Sequence, residues 1–310
     1  MLDSLSDILT RLSIQGTLYF RTAFTPPWGV AVPNYENVAR FHYADRGDCM
    51  VRLPDTGEDV RIAQGDLIII PHGARHDLYS GRAQDEVLPL DRVLELSGYD
   101  GQGVLVYGGE DDQRDTQLIC GHFSFAKGAR HLIFDQLPSH IHIPNYGGSA
   151  GRWMEASLRL IGDEVGHNRA GGDLIALKMS EVIFTQALRT FLEREGDKHI
   201  GLSGFSDPQI SRALSAFHGE PAKDWSVEGL AREAGLSRTG FAVQFANKMG
   251  ITPMQYLTSW RMQIACQDLT TQNLSVAEVA ERVGYASDSA FSRVFKKEIG
   301  ISPAAYRAAI

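Results

Sequence analysis

The C-terminal third of the chain carries one pattern written twice, and a chain that repeats itself this closely must build the same small unit twice. Leu230, Ala231 and Gly235 align with Val279, Ala280 and Gly284. Phe241, Phe245, Gly250, Ile251, Thr252, Pro253 and Tyr256 align with Phe291, Phe295, Gly300, Ile301, Ser302, Pro303 and Tyr306. The offset slips from 49 to 50 at one place, between Gly235-Leu236-Ser237 and Gly284-Tyr285-Ala286-Ser287, where a turn can absorb one residue. Each copy predicts a short helix, a glycine-led turn, a second helix capped by Ser237 or Ser287, and a stop at Gly250 or Gly300. That is the helix-turn-helix pattern.

Between the copies, Met254, Leu257, Met262, Ala265 and Leu269 are spaced for a helix from Pro253 to about Thr271, a rigid connector. Recognition helices held about 34 Å apart can enter two successive major grooves on one face of DNA. A helix turns ~100° per residue, so each second helix can be sorted into faces. Phe241 and Phe245, and their repeats Phe291 and Phe295, must face the core. The opposite face carries Thr239, Ala242, Val243 and Ala246 in the first copy and Ser289, Ser292, Arg293 and Lys296 in the second. The first face offers methyl groups suited to thymine, while the second offers a guanidinium that can pair with guanine O6 and N7. Arg238, Lys248 and Lys297 are placed as phosphate contacts. Arg293 could also be a solvated surface arginine or half of an intradomain salt bridge.

Trp260-Arg261-Met262, the run Val283 to Gly300 and the run Ser302 to Arg307 carry a closer likeness. With them, the segment from Asp207 to Ile310 resembles the DNA-binding domain of the AraC/XylS regulators. The resemblance implies a sequence-specific transcription regulator acting on double-stranded DNA, with RNA polymerase as a further partner if it activates.

Charge is divided to match. Residues 205 to 310 hold 11 Lys and Arg against 10 Asp and Glu, a net of +1, which leaves a net of −9 for the rest. DNA contact is therefore expected on the C-terminal part alone. Three cysteines, Cys49, Cys120 and Cys266, are too few for a disulfide framework and point to a reducing cytoplasm. The N-terminus is acidic and lacks a following apolar stretch, so no signal peptide is expected, and no apolar run approaches the ~20 residues of a membrane span.

From Thr17 to about Leu137 the chain has short β-type runs: 18–23, 38–43, 49–53, 67–70, 104–107 and 117–125. Gly, Pro and Asp turns separate them, as in an all-β sandwich or barrel. Within them, Gly65, Pro71, Gly73 and His76 stand at the spacing of the second cupin signature, with Ser80 where an Asn is usual. The resemblance to cupins implies a barrel with His76 aimed into its mouth. In metal-dependent cupins that histidine joins a His-x-His pair and a Glu, whose positions fall here near Pro33, Tyr35 and Arg40. None of these serves as a normal ligand. His42, Cys49, His76 and Cys120 lie on or beside predicted strands and could form another set, whose N2S2 composition suits zinc. The alternative is that they are packed small residues and satisfied imidazoles. His72, His140 and His142 read as turn or strand histidines.

Cys120-Gly121, the run Arg130 to Pro138 and the run Thr185 to Arg189 resemble the AraC subgroup with a cupin sensor domain. Some members of that subgroup sense cysteine oxidation and others small molecules. Residues 152–165 and 173–194 carry helical periodicity, the second with an apolar stripe from Leu174 to Leu192 broader than one core contact requires. A homodimer interface is expected there, the alternative being burial of the stripe against the barrel alone. Gly196, Gly201 and Gly204 mark a flexible joint.

The expected architecture is therefore α+β in two domains. A cupin-like barrel occupies 1–150, dimerisation helices 151–195, a linker 196–206 and a double helix-turn-helix domain 207–310. The expected function is a cytoplasmic DNA-binding regulator that senses through His42, His76, Cys49 and Cys120. The alternative is a cupin metalloenzyme with an appended DNA-binding domain.

Overall fold

The computed structural model describes residues 4–12, 14–81, 87–101, 103–109, 114–125, 132–144, 170–271 and 274–309, with isolated positions between 153 and 164. Its β part contains β1 (Ile14–Thr25), β2 (Gly29–Val32), β3 (Val38–Arg46), β4 (Cys49–Leu53), β5 (Glu58–Ile62), β6 (Leu67–Ile70), β7 (His76–Tyr79), β8 (Leu88–Pro89), β9 (Val104–Gly108), β10 (Thr116–Phe125) and β11 (Ile141–Ile143). One sheet runs β11-β6-β3-β10-β1-β9 and the other β5-β4-β7-β2-β8. Every expected run is a strand. The strands that sequence left out are short or, like Glu58–Ile62, largely exposed and polar.

The cupin-type turn works as its residues require. Gly65 (φ +88°) donates its N–H to the Ala44 carbonyl, and Gly73 (φ +62°) donates to that of Ile70. A Cβ on Gly73 would stand 2.3 Å from the Tyr35 carbonyl oxygen, so only glycine fits the turn that delivers His76. Ser80, at the usual asparagine position, is buried and accepts a hydrogen bond from the Trp28 amide.

The α elements are α1 (Ser4–Leu12), α2 (Leu90–Ser97), α3 (Leu132–Asp135), α4 (Gly172–Glu195), α5 (Ser203–Ser206), α6 (Pro208–Gly219), α7 (Val227–Ala234), α8 (Arg238–Met249), α9 (Pro253–Thr271), α10 (Val276–Arg282), α11 (Asp288–Ile299) and α12 (Pro303–Ala308). None is long and apolar enough to cross a membrane. Two compact units result, one made of Ile14–Phe125 and Leu137–Thr190, the other of Met1–Ser13, Ala126–Gln136 and Phe191–Ile310. These units depart from the linear boundary at 150. Helix α1 belongs with the C-terminal unit because Ile8 is fully buried there and Asp7 Oδ2 lies 3.1 Å from Nδ1 of the buried His218.

Two further expectations change. Most of the expected helix over 152–165 lies outside the described residues. The linker 196–206 is packed rather than loose: Gly201 N–H and Ser203 Oγ both donate to the Lys248 carbonyl, and Leu202 is fully buried. A Cβ on Gly204 would meet Met249 Sδ at 2.2 Å. These glycines permit close approach, a demand that composition cannot distinguish from flexibility.

The apolar stripe of α4 is also mostly internal. Ile183, Phe184, Ala187 and Leu188 are buried, with the Phe184 ring 5.1 Å from Phe123 and 5.7 Å from Phe125. Leu174, Ile175 and Val182 remain exposed, so the surface left for a partner is narrower than the stripe suggested.

Candidate nucleic-acid interface and sensor cluster

The repeat in the sequence is a repeat in space. The Phe241–Phe245 and Phe291–Phe295 ring pairs both have centroids 5.5 Å apart at 56°. Tyr256 meets Phe245 at 5.9 Å and 74°, and Tyr306 meets Phe295 at 5.6 Å and 77°. Ser237 Oγ accepts from Gly240 N–H and Ser287 Oγ from Ala290 N–H, so both recognition helices, α8 and α11, start on a side-chain cap. The one-residue slip falls in the turns. Helix α7 ends on Gly235 in the left-handed conformation, whereas α10 ends one repeat position earlier and turns through Gly284 (φ +81°).

With the phenylalanines inside, Thr239 and Val243 of α8 are exposed, and Ala242 and Ala246 half-buried. On α11, Ser289, Arg293, Lys296 and Lys297 are exposed and Ser292 is half-buried. The first face is apolar and short, the second cationic and long-armed. Arg238 is exposed at the start of α8. Lys248 is different: its Nζ pairs with Asp207 Oδ2 at 3.2 Å, and Gln244 Nε2 donates to the same oxygen. That ion pair braces α8 against the N-cap of α6.

The two units share α9, with Tyr256 in the core of the first. Beside α9 they meet again at the turn 221–223. Arg261 of α9 donates from Nε to the Pro221 carbonyl and from Nη2 to the Lys223 carbonyl, each at 2.8 Å. Its guanidinium carbon also lies 5.7 Å from the Tyr285 ring centroid. A Cβ on Gly284 would stand 2.4 Å from the Ala222 carbonyl oxygen, so the turn of the second unit lies directly on this loop of the first.

In the barrel, β3 and β10 pair so that His42 faces Cys120 and Arg40 faces His122. One side of this pair carries Phe41 and Phe123, stacked at 4.9 Å. The other side carries Arg40, His42, Cys120 and His122, because strand side chains alternate. His76 comes from the opposite sheet. Its Nε2 is 2.7 Å from His42 Nε2, and His42 Nδ1 is 3.0 Å from Cys120 Sγ. His76 Nδ1 lies 2.9 Å from the Ala74 carbonyl, which can only accept.

That last contact fixes the direction of the whole chain. His76 must carry its proton on Nδ1, so its neutral Nε2 accepts from His42 Nε2–H. His42 Nδ1 then accepts from the Cys120 thiol. Burial keeps every member neutral. It lowers His42 well below the ordinary imidazole value, with His76 and Arg40 adding to the effect, and lowers His76 to about 4. Burial likewise pushes Cys120 well above the usual thiol range.

This geometry separates the four expected ligands. His42 turns its two ring nitrogens toward different partners, so one ion cannot engage both. Two imidazole nitrogens on one tetrahedral zinc, each at about 2.0 Å, stand about 3.3 Å apart, farther than the His42–His76 contact. Cys49 is packed in the apolar cluster with Val51, Ile62 and Cys120, its thiol also raised by burial. Among the described residues no group of three or more His, Cys, Asp or Glu is arranged to hold a metal. His72 bonds the Leu137 carbonyl, and His142 bonds Asp66, as turn and strand histidines do.

Arg40, which cannot ligate a metal, belongs to this cluster all the same. It is buried, lies 4.1 Å from the Tyr35 ring centroid and lowers the pKa of His42, His76 and His122. A period-two reading of Arg40-Phe41-His42 would have placed the guanidinium on the histidine face.

Comparison with known proteins identifies both parts of the chain. A cupin family model matches residues 3–193, and a helix-turn-helix domain model matches residues 230–309. An AraC-like transcription regulator of Streptomyces lividans is 32% identical over 99% of this chain and 98% of its own. The HTH-type transcriptional regulator AlkR of Acinetobacter baylyi is 27% identical over 99% of both chains. The RCS-specific HTH-type transcriptional activator RclR of Escherichia coli is 26% identical over 99% of this chain and 97% of its own. These relatives are transcription regulators rather than enzymes.

Proposed function

The chain belongs to the AraC-type transcription regulators with an N-terminal cupin domain, and on that premise we propose that its signal is received at the Cys120–His42–His76 chain. One observation carries this reading: His42 accepts the Cys120 thiol proton within one sheet and donates its other ring N–H to His76 of the opposite sheet. A change at sulfur therefore falls on the one imidazole that joins the two sheets. Oxidation by a peroxide is the event that fits. The thiol becomes a sulfenic acid, the peroxide is reduced to water, and the S–H that His42 accepts is lost. Burial holds the Cys120 thiol protonated, and the nearby Arg40 guanidinium offsets part of that effect when the thiolate forms.

DNA is bound by the C-terminal unit, with Arg293 as the principal base reader. Thr239, Ala242, Val243 and Ala246 pack on thymine methyls, and Ser289, Ser292 and Lys296 flank Arg293. Arg238 and Lys297 contact phosphates. The protein acts as a homodimer through Leu174, Ile175 and Val182 of α4.

The sensor reading is tested by titrating DNA binding with and without hydrogen peroxide. Wild type should change affinity severalfold, Cys49→Ser should respond, and Cys120→Ser should not. An equal response of wild type and Cys120→Ser would remove the sulfur from the signal path.

A further inference from the structure

We propose that Arg261 is a positioning residue that fixes the angle between the two helix-turn-helix units and thereby the half-site spacing the protein accepts. It need touch no base to do this.

Each unit has its own aromatic core, and both are mounted on α9. A single helix is a weak guarantee of orientation, because its ends can bend while each core stays intact. On one flank, α9 and α11 diverge around a cleft of about 540 Å³ lined by Ile251, Met254, Thr258, Tyr285, Val294 and Lys297. Packing there leaves room for α11 to tilt. At the 221–223 turn the contact is close: the Arg261 fork holds the Pro221 and Lys223 carbonyls, and Gly284 seats against Ala222 between them. Arg261 thus grips the first unit by two bonds while its guanidinium lies beside Tyr285 of the second. Tyr285 is itself anchored edge-on to Phe291 at 5.7 Å, so a displacement at Arg261 reaches the recognition helix through one ring contact.

The other arginines that bind carbonyls here act differently. Arg212 joins α6 to Ala234 within the first unit, and Arg307 joins α12 to Leu269 and Leu274 beside the second. Arg261 touches the loop of one unit and the turn of the other. The planar fork matters because lysine, a point charge, cannot hold two carbonyls in one fixed plane.

Inserting or deleting one base pair between half-sites moves one of them by about 3.4 Å and rotates it by about 35°. A rigid pair of readers cannot follow. The test begins by selecting the wild-type consensus from a randomised duplex pool. Affinities of wild type, Arg261→Lys and Arg261→Gln are then measured for that duplex, for versions with one base pair more or fewer between half-sites, and for a duplex keeping one half-site. Wild type should lose about tenfold or more on either spacing change. Both variants should keep half-site affinity within about twofold, with the spacing penalty reduced to about twofold. An unchanged spacing penalty in both variants overturns the proposal. So does a parallel loss of half-site binding and melting temperature, which would assign Arg261 to the fold of the units rather than to the angle between them.

Discussion

Cys120 Sγ lies 3.0 Å from His42 Nδ1 across a register pair of neighbouring strands, and the opposite nitrogen of the same ring lies 2.7 Å from His76 of the other sheet. The imidazole is therefore a two-sided connector, and its value depends on both ends being occupied. Removing either partner leaves a buried polar atom without a bond.

His76→Ala should test the far end. It strands the His42 Nε2–H in an apolar interior, which costs about 1–3 kcal/mol, in addition to the cavity it opens. Denaturant unfolding of the full chain should show a lower midpoint at unchanged slope. A midpoint equal to wild type would mean that the imidazole pair contributes nothing.

Stability should depend on pH through the same pair. His42 and His76 are held below the ordinary value of 6.5, His76 at about 4, so the unfolded chain binds protons that the folded chain excludes. Their contribution is complete above about 6.5 and is lost as pH falls from there toward about 4. Melting temperature followed between pH 7.5 and 4.5 should decline, and more steeply in wild type than in His42→Phe/His76→Phe. Equal slopes would place the acid sensitivity elsewhere.

On DNA, Arg293→Ala should relax preference at one base pair of the second half-site, worth roughly 1–3 kcal/mol of discrimination. Lys297→Ala should weaken all sequences alike and reduce the salt slope by about one unit. Selection from randomised duplexes at two salt concentrations separates these outcomes. Equal loss on cognate and scrambled DNA for Arg293→Ala would show a backbone contact.

For the oligomer, the informative substitutions are Leu174→Asp and Val182→Asp, on the exposed side of α4. Wild type should sediment at about twice its chain mass and the variants as monomers that keep the wild-type circular dichroism spectrum. Phe184→Asp is a poor probe, because that ring packs on Phe123 and Phe125 and its loss would damage the barrel. Dimers persisting in both surface variants would exclude this face.

The sequence by itself determined what depends on local chemistry and on repetition. Caps at Ser237 and Ser287, left-handed glycines at Gly250 and Gly300, and phenylalanines four residues apart specify a helix and its buried face without reference to the rest of the chain. The second unit could therefore be read from the first. The cupin-type turn was legible for the same reason, since Gly65 and Gly73 take the left-handed backbone that its bends demand; the Tyr35 carbonyl packed against Gly73 was supplied by the fold.

Tertiary structure decided whatever joins residues distant in sequence. His42 and His76 come from different sheets, so no spacing reveals that they share a proton or that the four expected ligands do not converge on one ion. Lys248 reads as a phosphate contact, and only the fold brings Asp207, 41 positions earlier, into an ion pair with it. The linker glycines looked flexible until Lys248 and Met249 packed against them. In each case the side chain was visible in the sequence, and its partner was supplied only by the fold.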